Sequence, residues 1–144
     1  MQKTILIDAP ASVVWRVITE PALMKEWMSD TPVEIHSSMT VGGPFSIHGK
    51  MEDYAYASKG TILHFIKEQR FSYNYWNSIS RVADIPENYS VIDLMLEPHE
   101  NGTLLSISQS NFIGEAVAEH AKFYWNGASA ALKKLAEEIA RRNA

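Results

Sequence analysis

Residues 115–142 constrain the fold of this 144-residue chain more than any other stretch. Apolar side chains recur there at Val117, Ala121, Tyr124, Trp125, Ala128, Leu132, Leu135 and Ile139. Steps of three and four keep them on one face of an α-helix for about seven turns. Lys122, Asn126, Lys133, Lys134, Glu137 and Glu138 fall mostly off that face. Glu115 and Glu119 stand in the first turns and Arg141 and Arg142 in the last, as the helix dipole favours. A helix of this length spans about 38 Å. With a single apolar face it needs a broad apolar surface to lie on, and the preceding chain must supply it.

That preceding chain reads as one strand, two short helices and then a run of strands. Residues 2–8 are rich in β-branched side chains and predict a strand. A helix follows, with Asp8 or Ser12 as its expected N-cap and Val13, Val14, Val17 and Ile18 as its apolar stripe. Pro21 ends it, because the residue before a proline avoids helical geometry. A second helix is predicted over 22–28, carrying Leu23, Met24, Trp27 and Met28.

Beyond Asp30 the pattern becomes alternation and turns. Strands are predicted over 33–38, 45–51, 58–67, 70–77, 89–97 and 103–110. Ile62, His64 and Ile66 are expected on one face of their strand, and Phe71, Tyr73 and Tyr75 together on another. Ile92, Leu94, Leu96, Leu105 and Ile107 point inward in the last two. Six consecutive strands joined by short turns imply an antiparallel meander with one buried face. The expectation is one α+β domain over residues 1–144, with the long C-terminal helix across the concave face of a curved sheet.

Several functional classes are disfavoured at this point. The net charge is −4 and no Lys/Arg cluster precedes residue 133, so a phosphate-tracking nucleic-acid surface is not expected. The absence of cysteine removes disulfides, thiol nucleophiles and thiolate metal sites. No apolar run reaches the 18 or so residues of a spanning helix. The first residues resemble neither a signal nor a transit peptide, and a cytoplasmic location is expected. His36, His48, His64, His99 and His120 show no metal-ligand spacing, so neither a metal nor a cofactor is expected.

The order of elements resembles the helix-grip arrangement, and particular residues narrow the resemblance. Ala9-Pro10-Ala11-Ser12-Val13-Val14-Trp15 with Ile18-Thr19-Glu20-Pro21 resembles an opening helix and its turn, and Lys25-Glu26-Trp27-Met28 an aromatic helix end. Val41-Gly42-Gly43-Pro44-Phe45 resembles a Gly-Gly-x-Phe turn. Leu96-Glu97-Pro98 with Gly102-Thr103-Leu104-Leu105 resembles a hairpin, and His120 with Trp125 and Leu132 a last helix. Together these motifs resemble the SRPBCC (START/Bet v1-like) superfamily. Within it they are similar to the family of the activator of Hsp90 ATPase homologue 1-like (AHSA1-like) proteins. Tyr124 stands where that family often has a small residue, and Gln109 where it often has an inward histidine; both departures alter the inner cavity.

The resemblance implies a cavity between sheet and last helix. Its expected lining is Phe45, Ile47, Met51, Phe71, Tyr73, Tyr75, Leu94, Gln109, Ala121, Tyr124, Trp125 and Ala128, with His120 near the mouth. The same residues would equally serve as core, and their polar tips would equally bond to one another. No catalytic residue is expected: Ser46, Ser72, Ser106, Ser108 and Asp93 alternate with apolar residues and should face outward, and no nucleophile–base pair is evident. The first reading is therefore a non-catalytic domain that holds a small hydrophobic or aromatic molecule. A protein-interaction module, chaperone-associated or homodimeric, is the second, with Trp76, Ile79 and Val82 as the candidate patch, which loop 78–88 would either expose or fold over the cavity mouth. A cyclase-, aromatase- or hydrolase-like enzyme is the third.

Overall fold

The computed structural model describes residues 1–143, the side chain of Met51 excepted. The chain adopts the α+β helix-grip arrangement. Strand β1 (Gln2–Ile7) leads into α1 (Ala11–Thr19) and α2 (Pro21–Met28). Six strands follow: β2 (Val33–Ser37), β3 (Pro44–Met51), β4 (Tyr54–Ile66), β5 (Arg70–Asn77), β6 (Ser90–His99) and β7 (Gly102–Ser110). The chain ends in α3 (Glu115–Arg142). The sheet order is β1-β7-β6-β5-β4-β3-β2, with every neighbouring pair antiparallel. β2 to β7 form a meander in chain order, and β1 adds to it beside β7, so that β1 and β2 are the two edges of the sheet.

Pro21 both ends one helix and begins the next. It occupies the first turn of α2, where a missing N–H costs nothing. The cap of α1 differs from expectation: neither Asp8 nor Ser12 caps it. Pro10 is the N-cap, and its carbonyl accepts from the Val13 and Val14 amides. The Asp8 amide instead donates to Glu137 Oε2 at 2.9 Å, fastening the chain before α1 to the last turns of α3.

Alternation carries β5, β6 and β7 as the pattern predicts, with Phe71, Tyr73, Ile92, Leu94, Leu96, Leu105 and Ile107 buried. In β4 it fails. The β4–β5 register shifts between Ile62 and His64, a bulge that puts an extra residue in β4. Ile62 and Phe65 consequently pack into the core, whereas Ile66 is exposed. Ser72, expected to face solvent, is buried.

The core is divided along α3. Toward its C-terminal half, α1 fills the space between helix and sheet with Val14, Trp15, Val17 and Ile18. The Trp15 ring meets Phe65 edge-on at 5.2 Å, and Leu132 and Ala136 of α3 are fully buried. Toward the N-terminal half the end of α2 takes the place of α1 beside α3. Trp27, held by its indole N–H to the Val17 carbonyl at 2.9 Å, lies beside Trp125. The remaining space on that side is where the pocket lies.

Gly127 in α3 has nothing within 4 Å of where a Cβ would stand, so no close approach demands it. Gly127→Ala is expected to stabilise the protein by about 1 kcal/mol through helix propensity alone. Urea denaturation measures the change, and a loss would show that this face of α3 is covered in solution.

Candidate functional site

A pocket of about 480 Å³ lies between the first turns of α3 and the β2–β6 side of the sheet. Its floor comes from inward positions of neighbouring strands: Phe45 and Ile47 on β3, Tyr73 and Tyr75 on β5, Ile92 on β6 and Gln109 on β7. The i, i+2 spacing of a pleated strand delivers each pair to one face. Its roof is Ala121 and Tyr124 of α3, with His120 and Val117 nearer the rim. Phe71, Leu94, Trp125 and Ala128, expected on the lining, do not reach it. They are buried in the packed core behind it, where the elements close on one another. The side chain of Met51, expected there too, lies outside the described residues.

Several wall residues escaped the sequence reading. Met28 and Ser29 at the end of α2, Val33 of β2, and Tyr56 and Ser58 of β4 all face the space, as do Asn111, Phe112 and Ile113 before α3. Most come from element ends and connections, where no periodicity marks them. Tyr56 and Ser58 lie two apart on one face of β4, in the part of that strand before the predicted start or at it. Loop 78–88 contributes Ile79, Ser80, Val82 and Asn88, and so lies along the pocket's edge rather than away from it.

That loop is tied down. The Trp76 indole N–H donates to the Val82 carbonyl at 3.1 Å, and Asn88 Nδ2 donates to the Ala83 carbonyl at 2.8 Å. Lys59 pairs with Asp84, which also accepts from the Tyr89 hydroxyl at 2.6 Å. Hydrogen bonds from Lys59 and Tyr89 hold the Asp84 carboxyl below its usual range. A depressed folded-state value keeps the tie complete above the unfolded value and loses it as pH falls through the folded one, so the loop is fastened at neutral pH. Asp84→Asn is expected to speed amide exchange across residues 79–88. Global stability should change by less than about 1 kcal/mol, because the pair is solvated. Unaltered exchange would mean the loop is held by its other bonds.

Inside the pocket a hydrogen-bond network is centred on Gln109. Gln109 Oε1 accepts from the Trp125 indole N–H at 2.8 Å, while Gln109 Nε2 donates to the Tyr75 hydroxyl at 2.9 Å and to Ser90 Oγ at 3.1 Å. The Ser90 hydroxyl in turn donates to the Ser110 carbonyl at 2.9 Å. The Tyr124 hydroxyl donates to the Met28 carbonyl at 2.7 Å, tying α3 to the end of α2. Burial raises the pKa of Tyr73, Tyr75 and Tyr124, so all three remain neutral hydroxyls at physiological pH.

Among the described residues no Asp, Glu, Lys or Arg lines the pocket. Its titratable side chains are four tyrosines and His120, and none of its serines is hydrogen-bonded to a histidine or a carboxylate. Nor do the described residues contain a group of three or more His, Asp or Glu placed to hold a metal ion. His48 and His64 sit on neighbouring strands but are not paired; His48 faces His36 edge-on at 5.3 Å. What the arrangement offers chemically is apolar and aromatic surface with neutral hydrogen-bonding groups.

The family described as activator of Hsp90 ATPase homolog 1-like protein matches residues 8–138. The chain belongs to that family. Solved structures agree with the placement. A protein from Cytophaga hutchinsonii is 29% identical with a TM-score of 0.81, the alignment covering 96% of this chain and 93% of that one. One from Chromobacterium violaceum is 20% identical at a TM-score of 0.77, covering 95% and 96%. The Aha1 dimer from Colwellia psychrerythraea is 18% identical at 0.74, covering 95% of both chains. These last two share the fold. No curated protein matches. No described helix of this AHSA1-like chain is long and apolar enough to cross a membrane.

Proposed function

We propose that this AHSA1-like domain binds a small, neutral, hydrophobic or aromatic molecule in the pocket between sheet and α3, without transforming it. The observation that carries the reading is a pocket of about 480 Å³ whose wall holds no charged residue among those described. Ligand sites commonly fall between about 300 and 1,000 Å³ and are mostly apolar with a few polar groups. An ion taken into such a wall would forfeit its hydration without a partner, which selects against charged ligands. Catalysis finds less support, because general acid–base work needs a proton acceptor near the reacting group. The buried wall tyrosines keep their protons, and no wall serine is hydrogen-bonded to a base. His120 is exposed at the rim, with no hydrogen bond to a wall serine or a carboxylate among the described residues.

A protein-interaction role with a second copy of this chain is the alternative. It is favoured by Phe123, 77% exposed on the outer side of α3, and by the dimer described for the Colwellia psychrerythraea relative. A chaperone partner is suggested by the family's description alone.

Native mass spectrometry of freshly purified protein, set against its denatured mass, tests both readings. Ligand binding predicts a non-covalent adduct lost on denaturation; self-association predicts twice the chain mass. A monomer that carries no adduct, and whose melting temperature no apolar compound in a thermal-shift screen raises, would overturn both.

A further inference from the structure

Tyr73 differs from every other polar group on the pocket wall. It is 3% exposed, yet among the described residues its hydroxyl has no hydrogen-bond partner. The Tyr124 hydroxyl donates to the Met28 carbonyl, the Tyr75 hydroxyl is held in place as acceptor of the Gln109 amide, and Tyr56 is only half-buried. The hydroxyl itself is not sealed in: the little surface the residue keeps belongs to the pocket wall, where a bound molecule can supply the missing partner. The ring is also fixed: it stacks on Phe45 with centroids 4.4 Å apart and lies 5.4 Å from Phe71. Tyr73 cannot swing away to find a partner in the protein without breaking that stack.

Resting on the binding function proposed above, we infer that the pocket selects a flat aromatic molecule bearing a neutral hydrogen-bond acceptor, such as a ring ketone, and that Tyr73 donates its hydroxyl proton to that acceptor. Flatness is favoured by the aromatic content of the wall, Phe45, Tyr73, Tyr75 and Trp76 from the sheet and Tyr124 from α3. An acceptor, rather than a second donor, follows from the phenol, which burial keeps protonated. Neutrality follows from the absence of any counter-charge on the wall. Gln109 cannot play the same part, because the network already commits its amide oxygen and both its nitrogen contacts. Tyr73 is therefore the specificity-determining residue, and the Phe45–Phe71 pair that clamps its ring positions it.

The test compares two probes of nearly identical shape, 9-fluorenone and fluorene, against the whole chain and against Tyr73→Phe. Wild-type protein is expected to bind both. Tyr73→Phe should weaken 9-fluorenone about tenfold, the value of one buried hydrogen bond, and leave fluorene within about twofold. Unchanged fluorene affinity also verifies that the variant is folded. The carbonyl stretch of bound 9-fluorenone should lie at lower frequency in wild type than in Tyr73→Phe. If both probes bind and the variant alters neither the 9-fluorenone affinity nor the carbonyl stretch, the assignment to Tyr73 is overturned while the binding function stands. If neither probe binds wild-type protein, the binding function falls and this inference with it.

Discussion

Leu132→Ala is expected to lower the unfolding free energy by roughly 2–5 kcal/mol, the range for truncating a fully buried leucine. Leu132 has no solvent exposure and belongs to the cluster that joins α3 to α1 and the sheet. The variant loses both the transfer energy of the removed atoms and the contacts around the space they leave. Little collapse is available there, because the strands beneath are held in a seven-stranded ladder. Urea denaturation should show a lower midpoint with an unchanged slope. A loss below about 1 kcal/mol would mean that α3 is not seated on the sheet through this residue. Placed on the packed side of α3, away from the pocket, the substitution should leave ligand preference intact even as it weakens the fold.

What the sequence made legible follows from where one physical signal dominates. The buried face of α3 and the inward residues of β5, β6 and β7 were readable because each element has one apolar side against one neighbour. β4 was not, because a bulge at Leu63 changes the period within the strand and nothing in the local composition marks it. The cap of α1 was misjudged for a related reason. Asp8 and Ser12 have the right chemistry, but Pro10 takes the N-cap, which leaves Asp8 two residues ahead of it, tied to Glu137 instead, and Ser12 inside the first turn.

The pocket divides along the same line. Phe71 and Tyr73 lie two residues apart on one face of β5, and no pattern separates them. What makes Phe71 core and Tyr73 wall is whether another element covers it. Phe71 is enclosed by the rings of Phe45, Phe65 and Tyr73, and Phe65 in turn is closed over by Trp15 of α1. Tyr73 borders the space that α1 does not reach. Strand alternation reports which face a residue occupies, never the volume left opposite it. The tie between Lys59 and Asp84 was equally invisible, since exposed charges separated along the chain carry no signal of pairing until the loop is folded.

Gln109→Leu is expected to cost roughly 1–3 kcal/mol although the new side chain is close in size and more apolar. The penalty comes from the Trp125 indole N–H. Trp125 is 1% exposed, and Gln109 Oε1, its acceptor at 2.8 Å, would be gone. Ser90 keeps its bond to the Ser110 carbonyl, and Tyr75 faces the pocket, so neither is stranded to the same degree. Trp125→Phe alone should also destabilise, by leaving the Gln109 oxygen without its donor and by opening space beside Trp27. In the double variant both members of the bond are absent and no buried group is orphaned. The two losses should therefore fall short of additive by about 1 kcal/mol or more, the coupling expected of residues in one network. Denaturation of the four proteins in the cycle measures it. Additivity within roughly 0.3 kcal/mol would show that the bond contributes nothing specific. Gln109 would then be a wall residue and no longer the junction between the pocket and the core.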